Sequence, residues 1–194
     1  MNDYINEAFK GKPVASVSGK RYCINSLTDH LPITKPELLR QIIQEMSERV
    51  STDDIDFLVG EEDRGGYLCA LMSVAWNKPF TLTKWNPSEL QGEVSIGFRN
   101  AYTHGNLYLN GIKDMKGKKV VIVEDIIDTG GTLISMINLL RSNGVEVSGV
   151  IAVAEKTDYK GKERVERETG IIPKTLVSFE TTDNVSRVVT RNNH

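Results

Sequence analysis

The sequence predicts an α/β fold, a mostly parallel sheet with helices on both faces, and three observations carry that reading. Val120 to Val123 is an unbroken β-branched run ending in Glu124-Asp125, the pattern of a strand buried on both faces. Only a short polar turn later, Leu133 to Leu140 resumes with apolar spacing suited to a helix. Elsewhere short apolar runs alternate with helical segments, as βαβ units do. With 194 residues, 39% of them hydrophobic, the chain is long enough for one good core, so a single domain over 1–194 is expected.

In chain order, residues 14–26 alternate as a strand or hairpin. Thr34-Lys35-Pro36-Glu37 then carries the Ser/Thr-x-x-Glu pattern of a capping box and predicts a helix to about Val50. Asp56 to Val59 reads as a buried strand, Gly65 to Trp76 as a helix, and Phe80 to Thr83 as the next strand after Pro79. From Asn86 to Gly105 the chain is polar, Gly-containing and dotted with aromatics, and this stretch is expected to be mobile. Glu93 to Phe98 and Asn106 to Asn110 are its candidate strands. Beyond the 120–140 unit, Asn143-Gly144 supplies a C-cap and Val147 to Ala154 another strand. Lys160 to Thr169 is a charged helix stopped by Gly170, and Thr175 to Phe179 is the last strand.

Composition excludes several classes of function. Lys and Arg total 24 against 26 Asp and Glu, with no run of like charge, so no nucleic-acid partner is expected. Cys23 and Cys69 lie far apart without the clustering of a zinc site and are expected to be buried thiols. Met1 to Lys12 lacks a signal-peptide core, and no apolar run reaches membrane-spanning length. A cytoplasmic protein without membrane attachment is the expectation.

The chemistry concentrates after the signature strand. Thr129, Gly130, Gly131 and Thr132 present backbone N–H groups and hydroxyls at a helix N-terminus, where unpaired donors and the helix dipole favour an anion. Glu124 and Asp125 sit at the carboxyl end of the strand, where open α/β sheets place ligands, so two acids face a sugar while the loop holds its phosphate. Neither the P-loop pattern nor Gly-x-Gly-x-x-Gly occurs. A second anion loop is suggested by Gly60 to Gly66, again between strand and helix, with Arg64 suited to bidentate phosphate contact. Glu61, Glu62 and Asp63 are odd neighbours for a polyanion; they either turn outward or arrange metal-bound water.

The string from Val120 to Thr132 resembles the phosphoribosyl pyrophosphate (PRPP) signature of type I phosphoribosyltransferases. Gly92-Glu93-Val94-Ser95, Ala101 to Gly111, Gly117 to Val120, Tyr22 to Asp29 and Glu155-Lys156-Thr157 are similar to the archaeal-type hypoxanthine/adenine branch. The resemblance implies the type I fold with an N-terminal hood over 1–34, a homodimer, and purine salvage from PRPP and a purine base. It implies that Glu124 and Asp125 meet the ribose hydroxyls, that Asp128 and Thr129 to Thr132 complete the PRPP site, and that Arg64-Gly65 and Lys84 meet pyrophosphate. Tyr102 and His104, in the closing loop, are implied to meet PRPP as well. Mg²⁺ is implied with PRPP, held by Glu124 and Asp125 partly through water. The base is expected against Tyr22, Cys23, Ile24 and Asn25, with Trp85 or Phe98 as a stacking surface, and Asp128 is the candidate general acid/base.

Three departures from the pattern bear on the site. Thr83-Lys84 stands where relatives carry Arg-Lys, His104 where archaeal-type relatives carry lysine, and Asp128 where they carry Ser or Ala. Asp128 leans toward a 6-oxopurine and the Arg64-Gly65 loop toward adenine; hypoxanthine is placed ahead of adenine. The alternative is a protein of this fold that senses PRPP without catalysis.

Overall fold

The structure, a computed structural model, describes residues 3–191. The chain opens with a short helix α1 (Tyr4–Phe9), capped by the Asp3 carboxylate, which accepts from the Asn6 N–H at 3.0 Å. A hairpin of β1 (Val14–Val17) and β2 (Lys20–Cys23) follows, then α2 (Pro36–Arg49), β3 (Phe57–Glu61), α3 (Gly65–Trp76) and β4 (Phe80–Thr83). The polar middle of the chain is an antiparallel hairpin, β5 (Val94–Arg99) with β6 (His104–Leu109). After α4 (Ile112–Met115) come β7 (Lys119–Ile127), α5 (Gly131–Ser142), β8 (Glu146–Lys156), a 3-10 turn (Thr157–Tyr159), α6 (Gly161–Thr169), β9 (Lys174–Thr181) and β10 (Ser186–Arg191).

The main sheet runs in the order β10-β9-β8-β7-β3-β4. Every neighbouring pair from β9 to β4 is parallel, and only β10 pairs antiparallel, at the edge. The expected α/β architecture is therefore present, with helices on both faces. Period-two alternation sorts the strands between two apolar layers. Val121, Val123, Ile151 and Val153 pack toward α1, α2 and α3, where Phe9, Ile42, Met46 and Met72 are fully buried. Val120, Ile122, Val150 and Ala152 face the opposite layer, built from α5, Val165 of α6 and the hairpin residues Leu107 and Leu109. Each large aliphatic side chain in these layers contributes about 1.5–3 kcal/mol when removed from water.

Three local expectations are corrected. Thr34 does not cap α2: Lys35 holds the N-cap position with no side-chain bond, Pro36 occupies the first turn, and the Thr34 hydroxyl donates to the Ser26 carbonyl at 2.5 Å. Proline's fixed φ starts this helix without a cap. The strand expected from Asn106 begins at His104, because the turn Asn100–Thr103 is tight: the Asn100 side chain accepts from the Tyr102 and Thr103 N–H groups, both at 2.9 Å. The chain also gains α1, α4 and β10, none of which the sequence pattern marks. Cys23 and Cys69 are both free and buried, and burial pushes the Cys69 thiol up to about 12.

Candidate active site

The carboxyl ends of β3, β7 and β8 converge on a cavity of about 290 Å³. The β7–α5 loop forms its floor, the β3–α3 loop and β2 one wall, and the hairpin turn at Tyr102 the other. Glu124 and Asp125 end the apolar part of β7 and are almost entirely buried, each 7% exposed. Burial holds both carboxyls above the usual range, and the Asp125 charge beside it raises Glu124 further. Asp125 is partly relieved by the Ile126 N–H, which donates to Oδ1 at 2.6 Å, and by the Arg64 charge.

Among the described residues, three buried side-chain atoms have no hydrogen-bond partner: Glu124 Oε2, Asp128 Oδ1 and Thr129 Oγ1. All three residues line the same cavity. Buried polar groups are ordinarily satisfied, so a contiguous set of orphans defines a place for a polar ligand. The glycines around it are steric requirements. Gly130 has φ +74°, and a Cβ there would meet the Gly161 carbonyl and Val165 at 2.8 Å. A methyl at Gly131 would fall on the Arg99 carbonyl oxygen, and one at Gly161 on the Asp128 carbonyl oxygen. The phosphate-type loop is thus clasped between the hairpin and α6 at backbone contact. Gly65 lies over Glu124, with a built Cβ 3.3 Å from Oε2.

Opposite this floor stands Lys156, the last residue of β8 and 2% exposed. The β7–β8 register, Ile127 beside Glu155, brings its ammonium to 4.0 Å from Asp128 Oδ2. The same nitrogen donates to the Arg21 carbonyl and lies 3.5 Å from the Tyr102 hydroxyl and 4.7 Å from the Tyr159 ring centroid. Burial lowers the Lys156 pKa and raises that of Asp128, and each partner's charge opposes the other's shift. The Tyr102 hydroxyl donates to the Arg21 carbonyl at 3.3 Å, and its ring meets Tyr22 edge-on at 5.6 Å, so the hairpin turn touches β2 across the cavity mouth. Arg64 lies 5.1 Å over the Tyr22 ring and 4.0 Å from Asp29, whose Oδ1 accepts from the Tyr22 hydroxyl at 2.6 Å.

Of the residues singled out in the sequence, Tyr22, Cys23, Arg64, Tyr102, Glu124, Asp125, Asp128, Thr129, Gly130, Gly131 and Thr132 line this cavity. Others stand elsewhere. Asn25 is fully buried, with its side chain bonded to the Cys23 carbonyl and Thr28, and neither it nor Ile24 reaches the cavity. Lys84 pairs through its backbone with Tyr108, and its ammonium lies 3.3 Å from Ser88 Oγ. His104 faces a second groove on the far side of the hairpin. Phe98 is core, 5% exposed, while Trp85 stands in the cavity wall and packs on Phe98 at 5.1 Å.

Sequence reasoning missed two members of the site. Lys156 enters there only within the Glu155-Lys156-Thr157 resemblance and is given no role in the site. Glu61 reads as part of an acidic turn, yet it is 5% exposed, accepts from the Trp85 indole N–H, and is pushed up to about 8 by burial. Among the described residues no group of three or more His, Cys, Asp and Glu side chains is arranged to hold a metal, and no helix is long and apolar enough to cross a membrane.

A twisted parallel sheet with an acid pair and a Gly/Thr loop at its carboxyl edge defines a sugar-phosphate transferase site, and comparison places the chain in a family. The family model for the phosphoribosyl transferase domain matches residues 33–179, and the chain belongs to that family. It is 35% identical over 179 residues to a hypoxanthine/guanine phosphoribosyltransferase of Methanocaldococcus infernus, covering 92% of this chain and 96% of the relative. It is 33% identical to one from Methanothermus fervidus, over 97% and 98% of the two chains. Among solved structures, adenine phosphoribosyltransferase from Thermoanaerobacter pseudethanolicus shares the fold with a TM-score of 0.75 at 22% identity, over 91% of this chain and 99% of that one. The Trypanosoma brucei adenine enzyme, in complex with AMP, pyrophosphate and ribose-5-phosphate, gives 0.72 at 22% identity, over 90% of this chain and 78% of that one.

Proposed function

We propose that this phosphoribosyltransferase moves the 5-phosphoribosyl group of PRPP onto a purine, with a 6-oxopurine such as hypoxanthine as the preferred base. Purine transfer is common to the names of its sequence relatives and its fold neighbours. The observation that carries the choice of base is the Lys156–Asp128 pair at 4.0 Å inside the cavity. An ammonium only donates, so it suits the carbonyl oxygen at C6 of hypoxanthine and leaves the amino group of adenine facing a like donor. The neighbouring acid completes a donor and an acceptor aimed at one edge of a planar base.

In the reaction the purine ring nitrogen N9 bonds to ribose C1′ as the bond from C1′ to pyrophosphate breaks. Asp128 Oδ1, without a partner in the protein, takes up the proton that the base's five-membered ring gives up. Its raised pKa makes it a better proton acceptor than an exposed carboxylate. Glu124 and Asp125 accept from the ribose hydroxyls, Thr129 to Thr132 hold the 5′-phosphate, and Arg64 draws on the pyrophosphate. Gly65 lets the β3–α3 loop approach Glu124. Tyr22 and Cys23 border the base. The hairpin within Asn86 to Gly105, through Tyr102, excludes water from the electron-poor C1′ centre.

The donor set also fits Mg²⁺. Two adjacent buried acids, one with an orphaned oxygen, form too small a set for an all-protein cage, and Mg²⁺ typically keeps waters and substrate phosphate oxygens among its ligands. Glu124 and Asp125 would hold the ion, partly through water, and it would supply charge neutralisation on the pyrophosphate side. A cytoplasmic homodimer acting on PRPP and a free base is the corresponding cellular form.

The test is pyrophosphate release from PRPP and Mg²⁺ with hypoxanthine, guanine, adenine, xanthine, uracil and orotate supplied separately. Release with hypoxanthine or guanine at a kcat/KM at least about tenfold above adenine is the expected result. PRPP binding without release for any base would move the protein to a sensing role.

A further inference from the structure

The groove that holds His104 lies outside the active-site cavity, on the outer side of the clasp between the hairpin and α6. It encloses about 590 Å³ and is walled by β5 and β6, by the first turns of α5 and by Arg164 of α6. Its charge is one-sided. Among the described residues, Arg99, His104 and Arg164 line it and no carboxylate does, in a chain whose 24 basic and 26 acidic residues otherwise nearly balance. Arg99 and His104 are directly paired in the β5–β6 register, so their side chains project from the same face of the hairpin. Asn106 and Ser135 add neutral hydrogen-bonding groups, and the Ser135 hydroxyl donates to the Gly97 carbonyl at 3.1 Å, tying α5 to the hairpin across the groove floor.

Two contacts connect this groove to the phosphate-type loop. Arg164 Nη1 donates to the Thr129 carbonyl at 3.3 Å, while its Nε is paired with Glu168 at 2.9 Å. The guanidinium carries five donors, so these two bonds do not exhaust it, and Arg164 also lines the groove. The backbone of Arg99 packs so closely on Gly131 that no Cβ fits between them. Each of the two arginines therefore lines the groove and also touches the loop, Arg164 with a donor and Arg99 with its carbonyl.

We propose that this groove is a second anion site, which takes the phosphoryl group of a small phosphorylated metabolite, bridges the hairpin to α6, and is coupled to PRPP binding through Thr129 and Gly131. The coupling rests on the reading of the β7–α5 loop as the PRPP site. Fork-shaped guanidinium donors from two elements with an imidazole between them suit phosphate oxygens. An anion spanning Arg99 and Arg164 holds the hairpin against the loop, so it tightens PRPP, and by linkage PRPP tightens the anion.

Inorganic phosphate titrated into the full chain and followed by amide NMR separates the two sites. The expected result is saturable shifts at Gly97, Asn106 and Ser135, distinct from any at Thr129 to Thr132 that report the active site. In Arg99→Gln/His104→Gln the groove shifts vanish and the loop shifts persist. At the same saturating phosphate concentration the apparent PRPP dissociation constant of the parent chain is expected to lie about threefold or more below that of the variant, competition at residues 129–132 being common to both. Shifts confined to residues 129–132, groove shifts that survive the double substitution, or groove shifts that grow linearly without saturation would each overturn the proposal. Because the readout is binding, it stands or falls separately from the choice of base.

Discussion

Glu61→Gln is expected to make the protein more stable, and by an amount that depends on pH. Glu61 ends β3 inside the cavity wall, 5% exposed, and burial lifts its pKa from 4.5 to about 8, with Asp63 and Asp125 adding repulsion. Below about pH 4.5 the group is protonated in the folded and the unfolded chain alike, and it costs nothing. As pH rises from there the unfolded chain ionises while the folded one keeps its proton, and stability is lost until the folded group also titrates near 8. Carrying the group from 4.5 to about 8 corresponds to a loss on the order of 5 kcal/mol once pH exceeds 8. Glutamine preserves the oxygen that accepts from the Trp85 indole and from the Asp63 N–H at 3.2 Å, but it does not ionise. Urea unfolding of both proteins between about pH 5 and 9 is the assay. The stability gap should open from near zero at the acid end to several kcal/mol at the alkaline end. Acids that do not face Glu61 titrate alike in both proteins and cancel in the difference, whereas Glu124, which the Glu61 charge raises, adds to the gap. A gap that stays constant with pH would refute the account, because it would mean that Glu61 is ionised in the folded chain at every pH tested.

Other perturbations probe the remaining parts of the site. Glu124→Gln with Asp125→Asn should abolish PRPP-dependent turnover while far-UV circular dichroism stays that of the parent, since both changes preserve volume and relieve buried charge. Near-parent turnover would remove these acids from the site. Lys156→Met should lower kcat/KM for hypoxanthine by about 10²-fold or more and leave adenine turnover, however small, unchanged, which parallel steady-state assays would read. Gly131→Ala should destabilise the fold by at least ~1–3 kcal/mol in chemical denaturation, because the new methyl and the Arg99 carbonyl cannot occupy the same place. A Gly131→Ala variant as stable as the parent would show that the hairpin does not rest on the loop.

What the sequence made legible follows from how local each signal is. β7 and the loop after it were readable because a doubly buried strand, an acid pair and a Gly/Thr turn are all encoded within one short stretch. The Gly170 stop and the Asn143-Gly144 stop of the helices are equally local. Lys156 was not readable, because its meaning depends on β8 pairing with β7 in the register that sets it beside Asp128. Glu61 depended on Trp85, which arrives from beyond β4. β10 is polar and alternating at a sheet edge, and it is held by long-range bonds: Arg191 pairs with Asp3 at 2.8 Å and Glu45 at 2.6 Å. α1 and α4 are too short for helical periodicity to show. The misplaced cap at Thr34 has the same cause, since its hydroxyl is claimed by the distant Ser26 carbonyl.

The site divides into two halves with different construction. The half assigned to the sugar phosphate is backbone and glycine: Gly130, Gly131 and Gly161 are fixed by backbone carbonyls of neighbouring segments, so changing any of them moves the fold. The half assigned to the base is made of side chains at the ends of elements, Lys156 on β8, Asp128 after β7, Tyr22 on β2 and Tyr102 on the hairpin turn. Such side chains are replaceable without disturbing a strand, because β8 is held by β7 as far as Glu155 and by β9 at Lys156 itself. On the proposed assignment, fold similarity tracks the first half and base preference the second. That division accounts for a chain whose matching folds include adenine enzymes at 22% identity while sequence relatives at 33–35% identity carry a hypoxanthine/guanine name. It also locates where a change of base would be engineered: at the Lys156–Asp128 pair, with the β7–α5 loop left as it stands.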